Sequence, residues 1–300
     1  MLSPEFGKTG IFSLSNRSDD RRSASGIANL KSFFCSEVVI GEYATSFRRF
    51  AGNDEERASV FNKLAADDSI GILIAMRGGY GVTRILEKID FEQLRRSGKT
   101  VCGFSDVTAL LLAAWKNGCE NLYHGPMVAA GFDFPADSEN FKFEVGGLME
   151  LLNGKQEILS DWCRYEIIRR GDAEGALVPV NLTLLSALTG TEFMPDLTGA
   201  ILAIEDVGEP AHDIDRNLNH LRQCGILESL SGIIFGSFSD CEDGEYLPEI
   251  IREYAAMVDG PALCNFSFGH VHPSRPMPFG KKCRLSVGEK NTELTLVNGR

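Results

Sequence analysis

The chain has 300 residues, 43% of them hydrophobic and 24% charged, which corresponds to about two domains with their own cores and excludes a fibrous, collagenous or low-complexity chain. A net charge of −12 without a local Lys/Arg cluster works against partners such as nucleic acid or an anionic membrane surface. Apolar stretches such as Ile70–Met76 and Val107–Trp115 fall far short of the roughly 20 residues that cross a bilayer, and Ile11–Leu14 is too short for a secretory signal, so the expected location is cytoplasmic.

Short apolar runs alternate with longer periodic ones through the first half, the pattern of βαβ units packed into a mainly parallel sheet. Strands are predicted at Gly10–Leu14, Glu37–Gly41, Ile70–Met76 and Thr100–Gly103. Asn53, followed by Asp54, Glu55 and Glu56, opens a helix running to about Leu64. Further helices are expected from near Val82, over Asp90–Arg96, and from Ser105 or Asp106 to the stop at Gly118. Phe132–Tyr165, with Pro135 and a helix-like Phe141–Leu152, marks a crossover. Beyond it, strand-like pieces at Arg164–Ile168, Gly175–Val180, Gly199–Ile204, Gly232–Gly236, Arg284–Val287 and Thr292–Val297 enclose two helical inserts, near Asp215–Gln223 and Leu247–Met257. The expected fold class is α/β: a doubly wound, mainly parallel N-terminal domain (1–135), a crossover (136–164) and a smaller β-rich, barrel-like C-terminal domain (165–300).

The eight cysteines, at 35, 102, 119, 163, 224, 241, 264 and 283, are dispersed and form no CxxC pair. They match neither a zinc site nor a disulfide framework and are expected to be reduced, mostly buried packing residues.

Four segments depart from ordinary packing patterns. Arg77-Gly78-Gly79-Tyr80-Gly81 follows an apolar strand and precedes a helix, where glycines let the backbone turn tightly and aim N–H groups at a ligand oxygen. Gly103-Phe104-Ser105-Asp106 occupies a second strand-to-helix junction and resembles the start of a G-x-S-x-G nucleophile elbow, with Val107 in place of the last glycine. Helix capping by Ser105 or Asp106 is the plainer alternative. Glu205-Asp206-Val207-Gly208-Glu209 ends a strand and precedes His212, Asp213, Asp215 and Arg216, acids that could orient a histidine, ligate a metal or simply cap a helix, metal binding being the weakest because His212 and His220 match no HExxH pair. Phe268-Gly269-His270-Val271-His272-Pro273 is a late turn whose glycine frees a histidine to reach across a cleft, and Tyr123-His124-Gly125 is similar. Together, Ser105, Glu205 and His270 supply a nucleophile, an orienting carboxylate and a base, because a serine hydroxyl attacks at neutral pH only when a base accepts its proton.

With RGGYG (77–81), GFSDVTAL (103–110), YHGPM (123–127), NLTLLSALTGT (181–191), AIEDVGEP (203–210), IDRNLNHLR (214–222), GSFSDC (236–241) and FGHVHPSRPMPFG (268–280) in this order, the chain resembles the LD-carboxypeptidases, peptidase family S66, which include microcin C self-immunity peptidases. The resemblance covers nearly the whole chain. It implies Ser105 as nucleophile, Glu205 as orienter and His270 as base, with an oxyanion hole from the N–H of Asp106 and of a glycine in the RGGYG loop, assigned to Gly79. It implies no metal or organic cofactor, a small peptide substrate and a homodimer.

Three positions depart from the family's pattern: Ser13-Leu14-Ser15-Asn16 stands where a Pro-Ser pair is usual, Val180 where glycine is common, and Asp213 where a basic residue often precedes IDR. These bear on pocket shape and substrate preference. A carboxypeptidase must also hold a free terminal carboxylate, for which Arg77 is the candidate. The implied activity is release of terminal D-alanine from cytoplasmic murein tetrapeptides. The alternatives are a peptidase acting on a microcin-like peptidyl-nucleotide, for which Trp162 could stack a base, and a non-catalytic binding protein on the same fold.

Overall fold

The computed structural model describes residues 7–18, 20–34, 36–43, 46–289 and 291–297. In the first half, β1 (Lys8–Phe12), α1 (Asp20–Phe34), β2 (Val38–Ile40), α2 (Asp54–Ala66), β3 (Ile70–Ala75), α3 (Phe91–Ser97), β4 (Thr100–Gly103), α4 (Thr108–Lys116), β5 (Leu122–His124) and α5 (Glu139–Leu152) follow one another. The second half contributes β6 (Glu166–Arg169), β7 (Gly171–Asn181), α6 (Leu182–Leu188), β8 (Ile201–Val207), α7 (Ala211–Gln223), β9 (Gly232–Ser239), α8 (Leu247–Ala255), β10 (Ala262–Cys264), β11 (Met277–Phe279), β12 (Lys282–Val287) and β13 (Thr292–Leu296).

Two sheets result. The first has the order β11-β5-β4-β3-β1-β2, parallel except for β11. Such a doubly wound sheet presents its ligand site at the carboxyl ends of the strands. The second has the order β13-β12-β7-β8-β9-β10-β6, with β7 to β10 parallel and antiparallel strands on both sides. It curls into a half-barrel, so the molecule has the expected mixed α/β class.

Local chemistry explains most of these elements. Nearly every residue of β3 is buried, as befits a strand covered on both faces and written as a continuous apolar run. The alternating burial of β12 marks a strand with one wet face. Asn53 caps α2 by accepting the Glu56 N–H at 2.9 Å, and Asp54, Glu55 and Glu56 complement the helix dipole.

Several expectations are corrected. The helix expected from Val82 is two short 3-10 turns, Val82–Arg84 and Leu86–Lys88, and the helix after Ser105 starts as a 3-10 turn, Ser105–Val107. Helix α1 escaped prediction because its Ser, Gly and Asn content is poor for helix and its buried stripe is only Gly26, Leu30 and Phe34. Strand β11 contains Pro278, which argues against a strand in sequence, yet it pairs with β5 at the sheet edge where a missing N–H is tolerated. Cys224 is exposed and Cys241 and Cys264 are half-buried, whereas Cys102, Cys119, Cys163 and Cys283 are buried. Cys35 lies outside the described residues.

Candidate active site

Three loops meet at the carboxyl edge of the first sheet. Ser105 follows β4 with φ +63°, a left-handed conformation that a non-glycine residue adopts only under constraint from its surroundings. The loop after β3 crosses directly over it: a Cβ placed on Gly78 would stand 2.8 Å from the Ser105 Cβ and 2.9 Å from its Oγ. Only glycine lets the RGGYG backbone approach the serine so closely. The segment after β1 supports both loops, because Asn16 packs where a Gly79 Cβ would lie and the Ser15 hydroxyl donates to the Asp106 carboxylate at 2.6 Å. Asp106 also accepts the Val82 N–H at 3.0 Å. Burial raises the Asp106 pKa, and these hydrogen bonds act against the rise. Its carboxyl therefore joins three loops, and only its backbone N–H is available for an oxyanion role.

The second sheet delivers the acid. Glu205 lies on β8 in register with Asn181 at the end of β7, where the pairing of β8 with β9 shifts between Ile204 and Asp206. Such an irregularity re-aims side chains beside functional sites. Successive strand residues point to opposite faces. Asp206 accepts from the Asn181 amide at 2.8 Å, from the Thr183 N–H at 2.9 Å and from the Thr183 hydroxyl at 2.9 Å. Glu205 turns the other way, fully buried, and its Oε2 meets His270 Nδ1 at 2.6 Å and the His270 N–H at 3.1 Å. Burial pushes the Glu205 carboxyl up, and the His270 contact pulls it back.

His270 is 21% exposed at its side chain and lies beside the serine elbow: the ring of Phe104, the residue preceding Ser105, is 5.0 Å from the imidazole. Its turn is anchored to β9, since Ser239 Oγ donates to the His270 carbonyl at 2.6 Å. Gly269 makes this approach possible, with φ +99° and Glu205 Cβ and Cγ both 2.5 Å from where its own Cβ would stand. The three residues expected to share one chemistry are thus supplied by two sheets and one turn, with the Nε2 side of a carboxylate-held imidazole left for a proton.

Other expected participants are placed differently. Arg77 is half-buried and spends guanidinium hydrogen bonds on the carbonyls of Gly78 and Arg17, at 3.1 and 3.3 Å. His212 is exposed on α7, 3.6 Å from Asp213, which also pairs with Arg216. Asp215 accepts from the Tyr254 hydroxyl at 2.7 Å. Trp162 is 60% exposed and, with Phe143, Lys142, Lys155 and Arg275, lines a cavity of about 500 Å³ that includes none of Ser105, Glu205 or His270.

Two family models match the sequence: the LD-carboxypeptidase N-terminal domain over residues 9–125 and the LD-carboxypeptidase C-terminal domain over residues 174–285. The chain belongs to the LD-carboxypeptidase family, peptidase family S66. A probable murein peptide carboxypeptidase of Bacillus subtilis is 32% identical over 260 residues, covering 80% of this chain and 76% of the relative. The murein tetrapeptide carboxypeptidase of Pseudomonas aeruginosa is 31% identical over 249 residues, 80% of each protein. Among solved structures, muramoyltetrapeptide carboxypeptidase from Oxalobacter formigenes superposes with a TM-score of 0.85 at 28% identity, covering 97% of this chain and 99% of that one. The microcin C7 self immunity protein MccF, in complex with aspartyl sulfamoyl adenosine, shares the fold with a TM-score of 0.86 at 22% identity, covering 98% and 96%. The protein is accordingly a peptidase of the S66 family.

Arg57 supports the site of this S66 peptidase without being announced by its sequence surroundings, and His124, expected like His270 to be free to reach across a cleft, is placed differently. Arg57 is fully buried; its guanidinium donates to the Leu14 carbonyl, to the Gly81 carbonyl at 3.0 Å and to Asp54 at 2.5 Å, linking two of the loops around Ser105. The only signal was its place after the three acids of α2, where an arginine reads as a solvated helix residue. His124, at the end of β5, is buried between Phe104 and Phe268, at ring distances of 5.5 and 4.8 Å, and neither ring nitrogen has a hydrogen-bond partner among the described residues. Burial, assisted by the neighbouring His270, pushes its pKa down to about 3. His124 is therefore a neutral packing residue behind the site.

Proposed function

We propose that this S66 peptidase is a serine LD-carboxypeptidase that releases terminal D-alanine from cytoplasmic murein tetrapeptides by hydrolysing the amide between an L-configured diamino acid centre and D-alanine. The observation that carries the reading is the 2.6 Å contact between buried Glu205 and His270 on a turn packed against the strained Ser105 elbow. The names of the Pseudomonas and Oxalobacter relatives support the substrate class.

In this mechanism Glu205 fixes the His270 tautomer that carries its proton on Nδ1. Ser105 Oγ attacks the amide carbon while its proton passes to His270 Nε2. The tetrahedral oxyanion is held by the Asp106 N–H and the Gly79 N–H, donors aimed where charge develops. The C–N bond then breaks, His270 returns the proton to the departing D-alanine amine, and the acyl group remains on Ser105. Water, deprotonated by the same imidazole, attacks the ester, and its collapse releases the tripeptide acid and restores the serine. Arg77, the first residue of the RGGYG loop, is the cation for the terminal carboxylate: its Nε and Nη1 hold the Gly78 and Arg17 carbonyls, and Nη2 is the donor to the substrate.

The test is mass spectrometry of the purified protein with a murein tetrapeptide, alongside Ser105→Ala and a matching peptide ending in L-alanine. Loss of one alanine from the D-ended peptide alone, and only with Ser105 present, is the expected result. Turnover that persists in Ser105→Ala overturns the nucleophile assignment. A second reading, hydrolysis of a peptidyl-nucleotide by the same residues, is favoured by the ligand of the MccF structure. Cleavage of such a conjugate, with the tetrapeptide untouched, decides for it.

A further inference from the structure

The turn that carries His270 holds a second histidine–carboxylate pair. His272 Nδ1 lies 2.8 Å from Glu144 Oε1, and the Ser274 N–H donates to the same oxygen at 3.1 Å. Glu144 is buried on α5, so one turn is held between two buried carboxylates, Glu205 from the second sheet and Glu144 from a helix packed on the first. His270 and Glu205 are 65 positions apart in the chain, His272 and Glu144 128 apart. The two anchor points grip the turn on either side of Val271. Between them, Ser274 Oγ accepts the Gly269 N–H at 3.1 Å, so the Glu144 end of the turn is tied to the residue preceding His270.

We propose that His272 is a positioning residue, clamped by Glu144, which holds the His270 turn in register with the Ser105 elbow. The inference rests on the assignment of His270 as base. It is independent of substrate identity, because neither side chain needs to touch the reacting atoms.

The charge environment gives the clasp a pH dependence. His272 is 44% exposed at its side chain and faces Glu144 on one side, the Phe134 ring at 4.7 Å on another, and Asp133, which is itself ion-paired to Arg22 at 2.7 Å. The Glu144 contact raises the His272 pKa; Asp133 adds to the rise, while burial and Arg22 oppose it. A raised histidine pKa means that the ionic part of the clasp is complete below the ordinary imidazole value and is lost as pH rises through the raised one. The neutral ring still donates from Nδ1 to Glu144, so a hydrogen bond outlives the charge.

The experiment compares kcat and KM across pH, on whichever of the murein tetrapeptide and the peptidyl-nucleotide the wild type cleaves, for the wild-type chain, His272→Ala, His272→Asn, Glu144→Gln and Ser105→Ala. The wild type is expected to fall to a lower, still active plateau on the alkaline side. Asparagine presents its amide N–H near the position of Nδ1 and cannot ionise, so His272→Asn should sit on that plateau without this alkaline step, and Glu144→Gln should behave likewise. His272→Ala should lose on the order of ten-fold in kcat with KM little changed, less than the roughly hundred-fold that a 1 Å misplacement of a reacting group can cost. A His272→Ala enzyme with wild-type kcat and pH profile overturns the proposal. So does an equal loss in His272→Ala and His272→Asn with the alkaline step intact, which is the signature of a merely structural site. Turnover surviving in Ser105→Ala overturns the underlying mechanistic reading instead, and is told apart from failure of the clasp by that variant alone.

Discussion

Replacing Gly269 with alanine tests the geometry of the site most directly. The added Cβ would stand 2.5 Å from Glu205 Cβ and Cγ and 2.6 Å from Oε2, whereas ordinary contact begins at 3.4 Å. Glu205 cannot retreat, because β8 is hydrogen-bonded between β7 and β9. The turn must therefore lift by about 1 Å, a displacement that can cost on the order of 10²-fold in rate when it separates reacting groups. Alanine at φ +99° adds about 1–2 kcal/mol of backbone strain. The same displacement stretches the 2.6 Å His270–Glu205 contact beyond hydrogen-bond reach. The assay is D-alanine release under single-turnover conditions, with a thermal melt to establish that the variant is folded. The expected outcome is a folded protein whose acylation rate has dropped roughly hundred-fold. A folded Gly269→Ala enzyme within about two-fold of wild type would show that the Glu205–His270 contact does not limit the chemistry and would refute the reasoning.

Two further perturbations probe the supports of the site. Arg57→Met leaves the buried Leu14 and Gly81 carbonyls without their donor, and we expect a loss of about 3 kcal/mol in denaturant unfolding; a loss below about 1 kcal/mol would mean that the two loops hold without it. Burial lowers the His124 pKa from 6.5 to about 3, so the unfolded chain takes up a proton there that the folded chain refuses, and stability should decline as pH falls below about 6.5. His124→Leu removes that proton uptake, so melting temperatures measured from neutrality down to mild acid should fall less steeply than in wild type; parallel curves would contradict a buried neutral histidine.

What was legible in the sequence was local. The continuous apolar run of β3 announces a strand buried on both faces, Asn53 and the acids after it announce a helix start, and a serine two residues after β4 announces an elbow, because each signal depends on neighbours a few residues away. The family motifs placed Ser105, Glu205 and His270 in one chemistry, but they could not show the geometry that joins them. Which of the adjacent acids Glu205 and Asp206 meets the histidine depends on the face that β8 turns to each side, and that is set by β7, β9 and the register shift between them. Helix α1 and strand β11 are stabilised by partners far along the chain and not by their own propensity. Arg57 and Glu144 look like solvated helix charges in sequence. Only the tertiary structure buries them, because the loop carbonyls that Arg57 reaches in addition to its neighbour Asp54, and the His270 turn that Glu144 holds, lie up to 130 positions away and leave no trace in local periodicity.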